Sequence, residues 1–198
     1  MSEADKIIGL YERHARAWDN ERGRDLLEKP WLDRFLALMP PGPSILDVGC
    51  GAGEPIARYF IDQGCVVTGA DSSIALIGMC KDSFPAMDWI VGDMRQLSLN
   101  RRFDGLVAWD SFFHLRPEDQ RLMFTIFKKH AAPRAALMFT SGDSHGEAIG
   151  VYKGEPLYHA SLDTAEYAAL LNQNSFDVVA HVVGDPDCDR TIWLAQLR

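Results

Sequence analysis

Hydrophobic side chains recur at intervals of three and four residues from about residue 3 to residue 38. This spacing places them on one side of a helix and predicts amphipathic helices over the segment. Gly23 interrupts the pattern, and the prolines and glycine of residues 40–43 end it. Residues 1–43 are therefore expected to form a helical cap that packs over one end or face of the remaining chain.

After residue 43 the hydrophobic residues form short runs that alternate with segments of helical spacing. The runs predict seven strands, at residues 45–48, 65–70, 87–91, 103–109, 135–140, 176–183 and 191–196. Helices are predicted between them, at residues 54–63, 73–84, 117–130 and 162–172. Strands separated by helices of this length form a parallel sheet with helices on both faces.

Only a short turn joins the last two predicted strands, so they should pair antiparallel. The predicted fold class is α/β, a three-layer doubly wound architecture whose seven-stranded, mostly parallel sheet has an antiparallel last strand. Residues 1–198 would form a single domain, with the α/β core in residues 44–198. Residues 141–161 are polar and contain glycines, and we predict a long loop there that acts as a lid.

The composition is that of an ordinary globular protein, with 47% hydrophobic and 24% charged residues. A formal net charge of −8 argues against a partner bound mainly through phosphates, so we do not expect nucleic acid binding. The amino terminus lacks the apolar core of a signal peptide, and no apolar run approaches the roughly 18 residues that span a bilayer. The four cysteines show no metal-binding spacing, which favours reduced thiols, a cytoplasmic protein and no metal site.

Aspartate ends each of the first four predicted strands, as Asp47, Asp71, Asp93 and Asp110. The carboxyl ends of parallel strands meet at one edge of a sheet, and ligands of open α/β sheets bind at that edge. Glycine stands at every second position of the turn over residues 49–53. Because glycine allows positive φ and a close approach of the backbone to a bound molecule, this turn predicts a ligand-binding edge.

Two of these aspartates indicate what kind of ligand is bound. Asp71 follows Gly49 by 22 residues, the position from which a carboxylate binds the hydroxyls of an adenosine ribose. The alternative for Asp71 is a cap for the next helix. Asp93 is placed to accept from an adenine amino group, with the Met94 backbone N–H on a ring nitrogen, and its alternative is a turn residue after Gly92.

The spacing of the glycine turn disfavours a nicotinamide dinucleotide. The dinucleotide motif is G-x-G-x-x-G, and Glu54 stands where its third glycine would be. A negative charge beside a pyrophosphate is unfavourable, whereas a cationic ligand tail would favour Asp47 and tolerate Glu54. S-adenosylmethionine, with adenosine at one end and an ammonium and a sulfonium at the other, fits this pattern of charges.

Residues 45–53, Ile-Leu-Asp-Val-Gly-Cys-Gly-Ala-Gly, resemble motif I of the class I S-adenosylmethionine-dependent methyltransferases of the small-molecule type. The resemblance continues in residues 67–73, 92–97, 103–111, 174–179 and 190–196. One departure is Ser175, which stands where the family usually has glycine. The resemblance covers residues 44–198 and implies a methyltransferase that uses S-adenosylmethionine and releases S-adenosylhomocysteine.

The resemblance also implies which residues bind this cofactor. Those around its methionine part would be Asp47, Gly49, Cys50, Gly51 and Gly53. Those at the ribose and adenine would be Asp71, Ser72, Asp93 and Met94. Those lining the methionine and methyl end would be Trp109, Asp110 and Ser111. Tyr11 and Trp18 resemble aromatic residues that close over the cofactor, although a packing role in the core is an equal alternative for Trp18.

Methyl transfer from a sulfonium is an in-line displacement with a neutral leaving group, so positioning and exclusion of water supply most of the acceleration. A base is needed only for an acceptor that begins protonated. His114 is the best candidate for a base because it follows the carboxyl end of the fourth strand. The other candidates are His145, Glu147, Tyr158 and His159. A surface or packing role is the simpler alternative for each.

The sequence favours a small-molecule acceptor. Residues 110–113, Asp-Ser-Phe-Phe, lack the prolines found in methyltransferases that act on flipped bases or glutamine amides, and no cysteine has the context of a cytosine C5 enzyme. Two other functions remain open, a nicotinamide-dependent oxidoreductase and a methyltransferase-like protein that binds the cofactor without catalysis. The acceptor, the atom that is methylated and the oligomeric state are not predicted.

Overall fold

The computed structural model describes residues 2–198, and Met1, the first residue of the predicted cap and domain, lies outside the described residues. The α-helices are α1 (Ile7–Glu21), α2 (Lys29–Leu36), α3 (Ile56–Asp62), α4 (Ile74–Ser83), α5 (Pro117–His130) and α6 (Thr164–Gln173). The strands are β1 (Ser44–Val48), β2 (Val66–Asp71), β3 (Asp88–Val91), β4 (Phe103–Ala108), β5 (Ala131–Ser141), β6 (Gly146–Tyr152), β7 (Glu155–Ser161), β8 (Phe176–Val182) and β9 (Thr191–Leu197). Short 3-10 helices cover Glu3–Lys6, Met94–Gln96 and Phe112–His114.

Seven strands form one sheet in the order β3-β2-β1-β4-β5-β9-β8. β9 runs antiparallel to both of its neighbours, and the other strand pairs of this sheet are parallel. The order reverses between β1 and β4, so the carboxyl ends of these two strands open a crevice. The predicted α/β class, with an antiparallel last strand, is confirmed.

Apolar side chains fill both faces of the sheet and make two cores. On one face α2, α3 and α4 bury Phe35, Phe60 and Ile77 against the strands. On the other face α5 and α6 bury Phe124 and Tyr167. These cores give the predicted three layers, and burial of such large side chains supplies the main driving force for the fold.

The two helices of the predicted cap have different positions. α2 belongs to the core just described, whereas α1 lies beside α4, where Ala15 packs with Leu76. Tyr11 and Trp18 of α1 are partly buried and pack against the same cluster. α1 ends at Glu21, two residues before the glycine that interrupts the hydrophobic pattern. α1 therefore covers the sheet edge at which the ligand is predicted.

Residues 141–161, predicted as a long loop, form a β-hairpin instead. β6 and β7 pair antiparallel, from Gly146 opposite Ser161 to Tyr152 opposite Glu155. A two-residue turn joins them, with positive φ at Lys153 (52°) and Gly154 (80°). This backbone geometry matches the twist of a hairpin, so the segment is ordered by its own strand pairing.

The remaining elements occur where they were predicted, with shifts at their ends. α3 begins at Ile56 rather than at residue 54, and β5 begins at Ala131 rather than at residue 135. The predicted serine cap of α4 is confirmed, because the Ser73 hydroxyl accepts a hydrogen bond from the Leu76 N–H at 3.1 Å.

Candidate active site

The turn after β1 lies at the centre of the carboxyl edge. Gly49, Gly51 and Gly53 have φ values of 77°, 56° and 80°, which glycine adopts without strain. A Cβ atom at Gly49 would overlap the Ser111 Cβ and lie 2.8 Å from the Ser111 Oγ. The turns after β1 and β4 therefore approach so closely that only glycine fits, and the backbone of the glycine turn stays open to a ligand.

Asp71 joins the glycine turn to the start of α4. Its Oδ2 accepts from the Gly51 N–H at 3.0 Å and its Oδ1 accepts from the Ser73 N–H at 2.9 Å. Burial raises the pKa of Asp71, and these N–H donors oppose that rise. The N-cap of α4 is Ser73 rather than Asp71. The capping role considered for Asp71 from the sequence therefore explains only part of its hydrogen bonding.

Asp47 is buried, with 4% of its surface exposed. Burial, together with the charge of Asp71, raises the pKa of Asp47 from 3.8 to about 7. A carboxyl group in this state is poised between its charged and neutral forms at neutral pH. A positive group bound beside Asp47 would favour the carboxylate.

Two adjoining cavities open along the carboxyl edge, with volumes of about 820 Å³ and 500 Å³ including their open mouths. Their shared lining residues are Trp18, Gly49, Gly51 and Asp110. The larger also contacts Tyr11, Asp71, Ser72, Asp93, Met94, Ser111 and His114, and the smaller contacts Asp47, Cys50, Gly53 and Trp109. Every residue that the sequence implied for the cofactor thus lines one of these cavities, and the roles of the individual residues stay predictions.

The end of β3 forms one wall of the larger cavity. The Asp93 carboxylate accepts from the Arg95 N–H at 2.9 Å and from the Arg95 guanidinium at 3.0 Å. Burial alone would raise the pKa of Asp93, but the hydrogen bonds from Arg95 outweigh it and hold the pKa below its usual value. Asp93 also precedes a short helix as its cap, so the turn role considered from the sequence is present in the structure.

Asp110, at the end of β4, is held in an unusual backbone conformation. Its φ is 48°, which is uncommon for a residue other than glycine. Its N–H donates to the Thr140 Oγ1 at 2.8 Å, and the Arg190 Nε donates to its two carboxylate oxygens at 2.8 and 2.9 Å. Sequence reasoning missed Thr140 and Arg190 at this site. Arg190 begins the last segment of family resemblance, but no sequence pattern indicated its pairing with a residue 80 positions away.

His114 lies behind Tyr11 and is 8% exposed. The Tyr158 carbonyl oxygen lies 2.7 Å from the His114 Nδ1, and the Tyr11 hydroxyl lies 2.9 Å from the His114 Nε2. Burial lowers the pKa of His114 to about 4, so the ring is neutral at pH 7. Since both ring nitrogens are engaged, His114 could serve as a base only through the Tyr11 hydroxyl, and the predicted role remains untested.

The other candidate bases lie on the β-hairpin and its approach, outside the lining of the two cavities. His145 and Glu147 are exposed. The Tyr158 side chain is buried, and its hydroxyl has no hydrogen-bond partner among the described residues. The His159 ring packs 4.8 Å from the His114 ring, measured between centroids. This arrangement gives the hairpin residues a supporting position rather than a place on the cavity wall.

The tip of the hairpin holds α1 over the cavities. Glu155 pairs with Arg13 and accepts from the His14 Nε2 at 2.7 Å. Glu21, at the carboxyl end of α1, pairs with Lys153 and accepts from the Tyr152 hydroxyl at 3.1 Å. α1 carries Tyr11 and Trp18, so these contacts fix the covering side chains in place.

Among residues 2–198, no group of three or more His, Cys, Asp and Glu side chains is arranged to hold a metal ion. Within the same range, every helix is too short or too polar to cross a membrane.

Residues 45–134 match the model of the methyltransferase domain family. Among proteins of known sequence, the malonyl-[acyl-carrier protein] O-methyltransferase of Pseudescherichia vulneris is 29% identical over 138 residues. The match covers 68% of this chain and 53% of that protein, so the chain spans about half the length of this relative.

Solved structures with similar folds cover nearly the whole chain. An amino pentose methyltransferase from Micromonospora echinaspora, with S-adenosylmethionine bound, superposes with a TM-score of 0.74 at 18% identity, over 96% of this chain and 97% of that chain. Magnesium protoporphyrin IX methyltransferase from Synechocystis PCC 6803, also with S-adenosylmethionine bound, has a TM-score of 0.74 at 16% identity, over 100% and 98% of the two chains. At these identities the similarity shows a shared fold.

Proposed function

We propose that the chain is a class I S-adenosylmethionine-dependent methyltransferase and that it transfers the methyl group of this cofactor to a small-molecule acceptor. The product of the donor would be S-adenosylhomocysteine. The observation that carries the proposal is the open glycine turn, which is flanked by Asp47 and Asp71 and lies against Ser111. The free thiols of the described residues also support a cytoplasmic location.

The residues present fit such a cofactor. Asp47 and Asp71 are buried carboxyl groups, and no cation contributes to the pKa of either one. A ligand with a positive sulfonium and ammonium would compensate both. Asp71 has lone pairs left for ribose hydroxyls, because each of its oxygens accepts one backbone N–H. Asp93 and Met94 on the adjoining wall would hold the adenine.

When bound, the cofactor supplies an electrophilic methyl group on a positively charged sulfur, which leaves as a neutral thioether. The protein then contributes by positioning the two reactants and by excluding water from them. Gly49 and Ser111 fix the floor of the cavity, while Tyr11 and Trp18 cover it from α1. Holding the two reactants in contact and excluding water supplies much of the acceleration of such a displacement.

The two other functions considered from the sequence have weaker support. The oxidoreductase is disfavoured because Glu54, which stands where a dinucleotide motif has glycine, lines the smaller cavity. Its side chain pairs with Arg58 at 2.6 Å. A protein that binds the cofactor without catalysis would share the same turn and the same aspartates. Only a measurement of turnover separates it from an enzyme.

Thermal unfolding with added ligands tests the proposal. We expect S-adenosylhomocysteine to raise the melting temperature and NADH to leave it unchanged, since ligand at 100 times its Kd stabilises by about 2.7 kcal/mol. Asp71→Ala should weaken the binding of S-adenosylhomocysteine in titration calorimetry while the fold is kept. Stabilisation by NADH alone would contradict the proposal, and binding without methyl transfer to any acceptor would favour the silent alternative.

A further inference from the structure

The direction of the hydrogen bonds around Tyr11 follows from one backbone carbonyl. The Tyr158 carbonyl oxygen can only accept, so the His114 Nδ1 must donate to it. The ring is neutral, and its Nε2 therefore carries a lone pair that accepts the Tyr11 O–H. With its proton committed to His114, the Tyr11 oxygen presents only lone pairs to the cavity it lines.

The Tyr11 hydroxyl keeps its proton near neutral pH. Burial, followed by the negative charges of Asp110 and Asp71, raises the pKa of Tyr11 above its usual range. The phenol therefore stays protonated and acts as a fixed hydrogen-bond acceptor toward the cavity. A bound molecule meets it favourably only with a donor group.

The charged side chains that line the cavities also disfavour an anionic acceptor. The three arginines that line the cavities are each paired with a carboxylate: Arg22 with Glu28 at 2.8 Å, Arg95 with Asp93 at 2.5 Å, and Arg116 with Asp5 at 2.6 Å. No lysine among the described residues lines either cavity. A carboxylate acceptor would thus find no unpaired cation there, and burying it would be costly.

We propose that the methyl acceptor is a small primary or secondary amine with an apolar carbon skeleton, whose N–H donates to the Tyr11 oxygen. The apolar part of the larger cavity, formed by Ile7, Ile8 and Leu115, suits the carbon skeleton. This inference rests on the proposed methyl transfer and names the substrate class of that same site.

The reaction balances without a further reactant. The amine enters as the free base, and its nitrogen lone pair forms the new carbon–nitrogen bond. The methyl carbon–sulfur bond breaks, and its electron pair stays on sulfur. The alkylammonium product gives one N–H proton to water when it leaves, so the site needs no dedicated base.

Three probes with the same apolar body test the acceptor class: benzylamine, benzyl alcohol and benzoate. Methyl transfer is measured by mass spectrometry, with binding of S-adenosylhomocysteine as the separate control for the proposed function. We expect the amine to be methylated at least about tenfold faster than either other probe, because the alcohol would need a base to remove its proton and the acid has no N–H to donate to Tyr11. The panel is then widened to alicyclic and sugar amines.

Variants of Tyr11 and His114 then test the direction of the hydrogen bonds between them. Tyr11→Phe should raise KM for the amine by about tenfold, with a change of less than about twofold in the affinity for S-adenosylhomocysteine. His114→Ala frees the Tyr11 proton to point into the cavity, where it can donate to a carboxylate, so the preference for the amine over the acid should fall. His114→Gln, whose side-chain oxygen can accept from Tyr11, should restore that preference. In the Tyr11→Phe background neither change at His114 should alter it.

The outcomes separate the two proposals. Faster methylation of the alcohol or the acid overturns the amine assignment and leaves the proposed function standing. Absence of turnover with every amine, while S-adenosylhomocysteine binds, also overturns the amine assignment. Failure to bind S-adenosylhomocysteine overturns the proposed function itself. An amine preference that is unchanged in Tyr11→Phe shows that Tyr11 does not recognise the acceptor.

Discussion

The glycine turn and the cover over it are built by different means. At the turn, backbone N–H groups make the decisive contacts: the Gly49 N–H donates to the Ala70 carbonyl and the Gly51 N–H to the Asp71 carboxylate. Under α1, side chains from distant segments meet, and Tyr11 contacts His114 across 103 residues of chain. The turn is therefore set by local conformation, whereas the cover is set by how α1 and the hairpin pack. Substitutions should accordingly damage binding and folding at the turn, and acceptor choice at the cover.

The largest effect is expected at the glycine turn. Gly49→Ala places a Cβ against Ser111 at a φ of 77°, so we expect a loss of at least about 4 kcal/mol in the free energy of unfolding. Gly64→Ala is the matched control, because Gly64 has a φ of 81° but open space around it. It should lose only about 1 kcal/mol, the cost of the left-handed conformation. Denaturant unfolding measures both, and equal losses would show that the contact with Ser111 is not what requires glycine.

The next largest effects are two opposed titrations, one on each side of the comparison. The folded pKa of Asp47 is raised to about 7, so its contribution to stability is lost as pH rises from about 4 to 7. Asp47→Asn removes this loss, and the variant should gain about 4 kcal/mol relative to the wild type over that window. Chemical denaturation at a series of pH values measures the difference. A difference that does not change with pH would mean that Asp47 titrates normally in the folded chain.

His114 gives the opposite sign. Its folded pKa is lowered to about 4, so its contribution to stability is present above pH 6.5 and is lost as pH falls toward 4. As pH rises from 4 to 6.5 the wild type therefore gains about 3 kcal/mol that His114→Asn does not gain, so the variant should lose that amount relative to the wild type over the same rise. In the wild type the two titrations largely cancel over this range. The same trend in both variants would contradict the assignment of one of them.

The smallest effect is expected at the tip of the hairpin. Glu155→Gln weakens exposed contacts with Arg13 and His14, so the affinity for S-adenosylhomocysteine should change by less than about twofold. Glu166→Gln is a suitable control, since it weakens an exposed pair with Arg121 that lies outside the cavity lining. Titration calorimetry of the two variants compares them. A large loss of affinity in Glu155→Gln alone would contradict this expectation, because it would show that the cover supplies part of the binding free energy.

The sequence predicted the parts of the molecule that depend on local patterns. The strand and helix alternation, the Ser73 cap of α4 and the antiparallel last strand all follow from periodicity, capping chemistry and loop length. The residues implied for the cofactor lie together because the carboxyl ends of parallel strands meet at one edge.

The parts that the sequence did not predict depend on contacts between distant segments. The hairpin was predicted as a loop because its glycines and polar residues resemble a loop, although Lys153-Gly154 between Val151-Tyr152 and Glu155 is a hairpin signal. The pairing of Asp110 with Arg190 and the contact of His114 with the Tyr158 carbonyl require the packed chain. No pattern of a single segment specifies them, since they arise from the relative positions of separate elements.

The contacts between the hairpin tip and α1 have one more consequence. Glu155 with Arg13, and Glu21 with Lys153, are exposed pairs, whereas backbone N–H groups of the glycine turn donate to the Ala70 carbonyl and to the buried Asp71 carboxylate. Dissolved ions weaken exposed ion pairs, because added salt shortens the Debye length from about 8 Å at physiological ionic strength to about 3 Å at 1 M, and they weaken buried bonds much less. Added salt should thus loosen the contacts that hold α1 before it weakens the glycine turn. We expect ionic strength to set how fast ligands exchange, while the geometry of the turn sets which donor is held.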